Sequence, residues 1–195
     1  MLIFGHAGIT LGAAALLNGA LSKSCLPTAQ GCTSGSKASW LTSLGNHIDI
    51  RLLLIGSILP DIVDKPIGLY LFRDSFSTGR IFCHTLLFLS IITVAGLYLF
   101  KSRGKVRLLI LSFGTLAHLI LDQMWLVPQA LLWPLYGFTF PPTDLTDWTL
   151  DRFHALTHPG IYVPELIGAV ILIWFILMLV RNRKVYAFVK KGKVL

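Results

Sequence analysis

The stretch IYVPELIGAVILIWFILMLV, residues 161–180, is the part of the sequence that decides the fold. It runs for twenty residues and carries one charged side chain, Glu165, near its start. An α-helix needs about 20 consecutive apolar residues to cross the hydrocarbon core of a bilayer. The stretch therefore predicts a transmembrane helix.

Four further apolar runs occupy residues 2–21, 50–64, 81–100 and 106–127. Over the whole chain 54% of residues are hydrophobic and 13% are charged, and the mean hydropathy is +0.72. A soluble domain carries about 25% charged residues, so these few charges could not cover a water-exposed surface. The sequence predicts an all-α, polytopic membrane bundle of about five transmembrane helices, which forms a single domain over residues 1–195.

The basic residues predict the orientation of this bundle. With the N-terminus outside, the inner segments 22–51, 101–107 and 181–195 hold three, four and six Lys or Arg, thirteen of the seventeen in the chain. This is the bias that the positive-inside rule describes, and it makes the tail 181–195 cytoplasmic. We therefore expect a multi-pass protein of the inner, or plasma, membrane, and the net charge of +8 then needs no nucleic-acid partner.

Two loops connect the predicted helices at opposite faces. The inner loop holds Cys25 and Cys32, which would pair only in an oxidising compartment, so no disulfide is expected in this orientation. The segment 128–160, between the fourth and fifth helices, combines prolines with Trp133, Tyr136 and Trp148. Aromatic rings favour the headgroup level, so we predict an interfacial loop in which Trp133 shapes the loop or the substrate entrance.

Ionisable residues from four separate helices fall in one outer layer of this arrangement. Such residues are expensive in lipid and mark functional sites in membrane proteins. Imidazoles mixed with carboxylates suit Zn²⁺, Mn²⁺ or Fe²⁺, whereas a Mg²⁺ site would use fewer imidazoles. We predict a site for one or two divalent ions, with Zn²⁺ favoured, whose ligands are His6, Asp61, Asp64, His84, His118 and Asp122.

Spacing suggests how these residues cooperate, with structural alternatives for each pair. His118 and Asp122 are four apart and share a helix face, so they could bind one ion, or the carboxylate could orient the imidazole, or the two could form a structural pair. Asp61 and Asp64 follow Pro60, where we expect a turn, and they repel each other unless a cation, a proton or Lys65 neutralises them.

Arg80 is four residues before His84 and, on a helix, would face the same way. A guanidinium beside a metal site could hold a phosphate or a developing oxyanion, although a surface Arg that snorkels to the interface fits the sequence equally well. Glu165 is a weaker candidate for a general base. Three residues of the outer loop could form a lid or a second ligand set, or could simply be exposed to solvent: Asp151, His154 and His158.

Five segments, in chain order, carry a family resemblance: GHAGITLGAA (5–14), GSILPDIVDKP (56–66), GRIFCHTLLF (79–88), GTLAHLILDQMW (114–125) and LLWPLYGF (131–138). They resemble the YdjM-like, LexA-binding, inner-membrane-associated family of membrane-bound metal-dependent hydrolases. The resemblance implies hydrolase activity and the six ligand candidates above. Two positions depart from the pattern of many members: Gly79 replaces a His, and Asp61-Ile-Val-Asp64 replaces Pro-Asp-x-Asp, which puts the ligand set and a second metal in question.

Three functions are compatible with these features. The first hypothesis is a hydrolase that acts on a membrane lipid, another amphiphile or a small molecule, with a phosphoester favoured. A metal-activated water would attack, and Arg80 and Asp64 would take part in catalysis. A metal-ion or proton transporter is the alternative, although the inner helix halves look apolar. A non-catalytic adaptor that binds through the basic tail is the third. The sequence leaves the oligomeric state open.

Overall fold

The computed structural model describes residues 3–23, 49–141 and 157–192, and all regular secondary structure in these ranges is helical. The predicted all-α class is therefore confirmed. The main helices are α1 (Ile3–Lys23), α2 (Ile50–Pro66), α3 (Leu86–Arg103), α4 (Arg107–Leu121), α5 (Pro159–Arg181) and a shorter α6 (Val185–Lys191). Cys25, Cys32, Asp151 and His154 lie outside the described residues.

Short helical pieces join the main helices. A π-helical segment, Ile67–Leu71, continues α2 and is followed by a four-residue helix, Arg73–Phe76. A 3₁₀ turn, Phe82–His84, precedes α3. After α4 come a 3₁₀ turn, Met124–Leu126, and a four-residue helix, Pro128–Leu131.

Helix α2 continues through Pro60, so the turn expected at that residue is wrong. Proline has no N–H for the carbonyl four residues earlier, which here belongs to Gly56. The hydroxyl of Thr115 on α4 lies 3.3 Å from that carbonyl and 3.1 Å from the carbonyl of Leu111 on its own helix, so its one proton is shared between the two acceptors. This contact from a neighbouring helix compensates in part for the lost hydrogen bond, and Asp61 and Asp64 stand about one turn apart on α2.

Helix α3 begins five residues after the start of the apolar run 81–100 and extends three residues beyond it, and α4 is shorter than the run 106–127 that contains it. Helix α3 begins at Leu86 because Thr85 is its N-cap and accepts the amide of Phe88 at 3.1 Å. Helix α4 ends at Leu121, and Gln123 beyond it has a left-handed backbone conformation with φ of 50°.

Glycines allow two pairs of helices to approach closely. A Cβ added to Gly114 of α4 would lie 2.8 Å from the backbone nitrogen of Ser57 on α2, and one added to Gly8 of α1 would overlap the backbone of Gly168 on α5. Small residues at helix crossings are typical of membrane bundles, where packing replaces the hydrophobic effect between helices. Helix α1 also contacts α2 and α4, and α3 packs against α4.

Neighbouring helix ends meet at both ends of the bundle. At the end that we call the polar end, Gly5 near the start of α1 contacts Glu165 near the start of α5. At the opposite end, the amide of Ile50 donates to the carbonyl of Gly192 at 3.1 Å, and Arg51 donates to the carbonyl of Val189 at 2.7 Å.

Asp49 stabilises the start of α2 at this opposite end. Its carboxylate accepts the backbone amide and the guanidinium of Arg51. Partial burial raises the pKa of Asp49, but these hydrogen bonds and the positive charge of Arg51 outweigh that effect and leave the pKa below its ordinary value.

Two of the described helices, α3 and α5, are long and apolar enough to cross a membrane, and α4 and residues Ile3–Leu16 of α1 are apolar but shorter. Helix α3 buries only Gly96 and exposes large side chains such as Val94, Leu97 and Phe100. A soluble monomer rarely exposes apolar surface of this extent, whereas lipid contact requires it. The exposed helices therefore favour a membrane protein.

Candidate metal centre at the polar end of the bundle

Asp64 is the most enclosed carboxylate at the polar end. The chain after α2 folds back over it, so that the amides of Ile81, Cys83 and His84 donate to its oxygens at 3.0–3.1 Å. Nδ1 of His84 lies 2.7 Å from Oδ2 of the same carboxylate. The N–H groups aimed at this carboxylate place its oxygens as acceptors, so we assign the proton of the His84 ring to Nδ1, which leaves a lone pair on Nε2.

His118 is fixed in the same tautomer by a different partner. Its Nδ1 lies 2.7 Å from the backbone carbonyl oxygen of Ser57, on the α2 turn before Pro60. A carbonyl can only accept a hydrogen bond, so Nδ1 of His118 donates and Nε2 carries the lone pair. Both rings are fully buried. Each histidine therefore presents Nε2 as an acceptor, and the hydrogen bond at Nδ1 determines the direction in which Nε2 points.

The two acceptor nitrogens face each other across the candidate centre. Nε2 of His84 and Nε2 of His118 are 3.2 Å apart, and Oδ1 of Asp61 lies 3.6 Å from the first and 3.9 Å from the second. Two lone pairs cannot bond to each other, so a proton or a cation between them is required. Zn²⁺ binds imidazole nitrogen at about 2.0–2.1 Å, which places two tetrahedral ligands about 3.3 Å apart. The three side chains thus fit a divalent ion.

His6 and Asp122 form a second group that contacts the first. The His6 ring stacks on His118 with centroids 4.1 Å apart, and its Nε2 lies 3.2 Å from Oδ1 of Asp122. Nδ1 of His6 has no hydrogen-bond partner among the described residues, although the residue is fully buried, and Nε2 has only this contact with Asp122. Nη2 of Arg80 lies 3.3 Å from the other oxygen of Asp122. His6, His118 and Asp122 also meet the spacing of a metal site.

The two groups share His118, which limits how many ions they can hold together. Nδ1 of His118 is occupied by Ser57, so only Nε2 remains as a ligand, and one nitrogen lone pair binds one ion. Two three-ligand sites could not be filled at the same time in this arrangement. We define the His–Asp cluster as the six residues that the structure brings together here: His6, Asp61, Asp64, His84, His118 and Asp122.

One expected contact differs from that in the structure, and the pairing with Lys65 that the sequence allowed is present. Arg80 does not face His84 across a helical turn, because residues 81–85 form a bend and a 3₁₀ turn rather than an α-helix. Instead it reaches the end of α4 and bonds Asp122. Asp61 pairs through Oδ2 with Lys65, which lies one turn further along α2, so that only Oδ1 faces the two imidazoles.

The weaker candidates have other surroundings. Glu165 is buried, and its Oε2 accepts the amide of Gly5 at 3.1 Å, which satisfies a free amide at the start of the helix that carries His6. Trp133 stacks on Phe140 and packs edge-on against Phe82, in an aromatic cluster beside the turn that carries His84. His158 is exposed just before α5.

The sequence interpretation missed Ser57, because a backbone carbonyl used as an orienting acceptor leaves no signature in residue type. Pro60 indicates only that the carbonyl of Gly56 is freed, and it gives no signal for the carbonyl of Ser57. Thr115 was missed for the same reason.

Comparison with known proteins gives one match. The family model described as YdjM inner membrane protein matches residues 1–192, nearly the whole chain. The family description, together with the two candidate spans, supports a membrane location. The search of curated proteins and the search of solved structures returned no match.

Proposed function

The chain belongs to the YdjM inner membrane protein family, and from this premise we propose that it is a membrane-bound, metal-dependent hydrolase. Its substrate would be a lipid or another amphiphilic ester at the outer membrane interface, with a phosphoester favoured. The observation that carries the proposal is the pair of buried imidazoles of His84 and His118. Hydrogen bonds at Nδ1 fix each ring, and the two Nε2 atoms lie 3.2 Å apart beside the carboxylate of Asp61.

We propose one multi-pass domain of five alternating spans with the N-terminus outside and the C-terminus in the cytoplasm. The meeting of helix ends supports it: Gly5 with Glu165 at the polar end, and Ile50 with Gly192 at the opposite end. Such contacts are expected when five helices alternate in direction. The basic residues of the tail after α5 would then anchor the cytoplasmic side.

The ion would be held by Asp61, His84 and His118, and Zn²⁺ is the ion that this mixture suits best. Asp64 would act as a positioning residue, because it fixes the tautomer and the orientation of the His84 ring. When bound, a divalent ion lowers the pKa of a coordinated water towards neutrality and supplies a nucleophile.

The second half of the cluster would face the substrate. Nδ1 of His6 is unpartnered among the described residues and could accept or donate a proton, and Nε2 contacts Asp122. Arg80 is partly exposed and already oriented by Asp122, so its remaining N–H groups could hold the phosphoryl oxygens.

Elemental analysis of purified protein tests the metal, and an esterase assay tests the reaction. The wild type and the matched control His158→Ala, which removes an exposed histidine, should retain the ion. His118→Ala should lose both the ion and the metal-dependent hydrolysis of a soluble chromogenic phosphoester. Bound metal retained in both His118→Ala and His84→Ala, or turnover that survives chelation, would contradict the proposal.

Transport is the competing proposal, and the distribution of ionisable groups argues against it. Among the described residues, the buried His, Asp and Glu side chains all lie at the polar end. An ion path across the bilayer needs ligands in both halves. Uptake of Zn²⁺ or protons into liposomes that contain the protein would favour transport over hydrolysis.

A further inference from the structure

We propose that the groove between α1 and α4 binds the acyl chain of an anionic membrane phospholipid, whose headgroup then lies against the His–Asp cluster. This inference rests on the proposed function and gives it a substrate class. It is carried by a cavity, by one unpartnered hydroxyl and by the charges at the mouth of the cluster.

The cavity has a volume of about 200 Å³ and opens to the side of the bundle. Ile9, Thr10 and Ala13 line it from α1, and Phe113, Ala117 and Leu121 are among the residues that line it from α4. Apart from the Thr10 hydroxyl, these side chains are apolar. Because both walls belong to apolar helices, the opening faces the region where acyl chains would lie.

The groove leads to the His–Asp cluster. Thr10 lies one helical turn after His6 on the same face of α1, and Leu121 directly precedes Asp122 at the end of α4. From Phe113 to Leu121 the helical rise gives a length of about 12 Å. A chain that lies in the groove therefore ends beside His6 and Asp122, which are themselves 3.2 Å apart.

Thr10 indicates that the ligand carries a polar group as well as a chain. Its side chain is 1% exposed, and its Oγ1 has no hydrogen-bond partner among the described residues. A buried hydroxyl without a partner costs about 1–3 kcal/mol. A hydrocarbon could not relieve that cost. The hydroxyl is covered in the structure, so a rotation of the Thr10 side chain would present it to the ester oxygen of an acyl lipid one turn below the cluster.

The charges at the cluster favour an anionic headgroup. Arg80 and Lys65 each bond one carboxylate oxygen of the cluster, and their side chains remain 42% and 30% exposed. Each cation therefore keeps donors that could contact a phosphate. The groove ends beside Asp122, which Arg80 bonds, and Lys65 bonds a second carboxylate of the same cluster, so a phospholipid with a negative headgroup is complementary to this arrangement.

Photo-crosslinking tests the inference without requiring turnover. The wild type is placed in nanodiscs of phosphatidylcholine that contain a small fraction of phosphatidylglycerol with a diazirine on its acyl chain. After irradiation, mass spectrometry should find the label concentrated on residues 9–13 and 113–121. Excess unlabelled phosphatidylglycerol should displace it, and excess phosphatidylcholine should not.

Two variants and a control sharpen the result. Ala13→Trp fills the groove and should reduce labelling there about tenfold, which corresponds to about 1.4 kcal/mol. Thr10→Val keeps the shape but removes the hydroxyl, and should reduce labelling by about two- to tenfold. Val94→Trp changes a lipid-facing residue of α3 that is 65% exposed, and should leave labelling unchanged. Equal labelling of α3 and of the groove, or no effect of Ala13→Trp, would overturn the inference.

Failure of the inference can be distinguished from failure of the proposed function. His118→Ala should lose metal and turnover but keep groove labelling, since His118 does not line the cavity. Hydrolysis without groove labelling would refute the lipid inference and leave the hydrolase standing. Groove labelling without metal or turnover would refute the hydrolase and leave the lipid-binding groove.

Discussion

The two ends of the bundle use aspartates in contrasting ways. At the opposite end, Asp49 pairs with Arg51, which also bonds the chain after α5, so both charges of this pair have protein partners. At the polar end, Asp64 and Ser57 orient two buried imidazoles whose acceptor nitrogens are left facing each other. In a structural polar network the polar groups bond one another, whereas in a binding site several acceptor atoms point towards one position without bonding one another.

Replacing a proposed ligand should have the largest effect. His84→Ala removes one of the two facing nitrogens, so the protein should fall from about one bound Zn²⁺ to none that survives gel filtration. Inductively coupled plasma mass spectrometry measures this loss. His158→Ala is the matched control, and an unchanged metal content in His84→Ala would mean that the cluster is only structural.

Removing the charge of the positioning residue should weaken the site without abolishing it. Asp64→Asn keeps the shape but loses the ionised acceptor that holds Nδ1 of His84. Replacement of such outer-shell groups costs about 10- to 100-fold in metal affinity. Competition with a chelator measures the affinity. An affinity loss as complete as that of His84→Ala would instead make Asp64 a direct ligand.

Closing the glycine contact between α2 and α4 should disturb folding and the site together. Gly114→Ala places a Cβ 2.8 Å from the nitrogen of Ser57, and overpacking of this kind costs about 1–3 kcal/mol. Thermal unfolding in detergent measures the cost, and zinc affinity should fall because Ser57 orients His118. Gly160→Ala is the control, since nothing lies within 4 Å of its added Cβ. Equal melting temperatures would contradict the proposed packing.

Removing the N-cap of α2 at the opposite end should have the smallest effect on stability and should leave zinc binding unchanged. Asp49→Ala removes the N-cap of α2, which is worth about 1 kcal/mol. The melting temperature should fall by about 2–4 °C, and zinc affinity should stay constant. Asp74→Ala, on an exposed short helix, provides the baseline. A change in zinc affinity would show that the two ends are coupled.

Much of the fold could be predicted from the sequence, because the surrounding lipid or water determines where apolar runs and charged residues occur along the chain. The helical class is confirmed, while the number of spans and their orientation stay predictions. Helix ends were less predictable. Pro60 indicated a turn, yet Thr115 on another helix allows α2 to continue. Such compensation depends on tertiary contacts that residue order does not contain.

The candidate site was predictable as a set of residues but not as a set of roles. Asp61 and Asp64 look equivalent in sequence, three residues apart with the same side chain. They differ because residues 81–84 fold over Asp64 and occupy both its oxygens, whereas Lys65 occupies one oxygen of Asp61 and leaves the other free. Arg80 was predicted beside His84 from helical spacing, and the non-helical turn directs it to Asp122 instead.

X-ray absorption spectroscopy of the zinc-loaded protein tests the central claim most directly. We expect a first shell with two imidazole nitrogens at about 2.0–2.1 Å together with oxygen ligands, and one imidazole fewer in His84→Ala protein loaded with excess zinc. An oxygen-only shell, or an imidazole count that does not change in His84→Ala, would contradict the claim that the two facing histidines hold the ion.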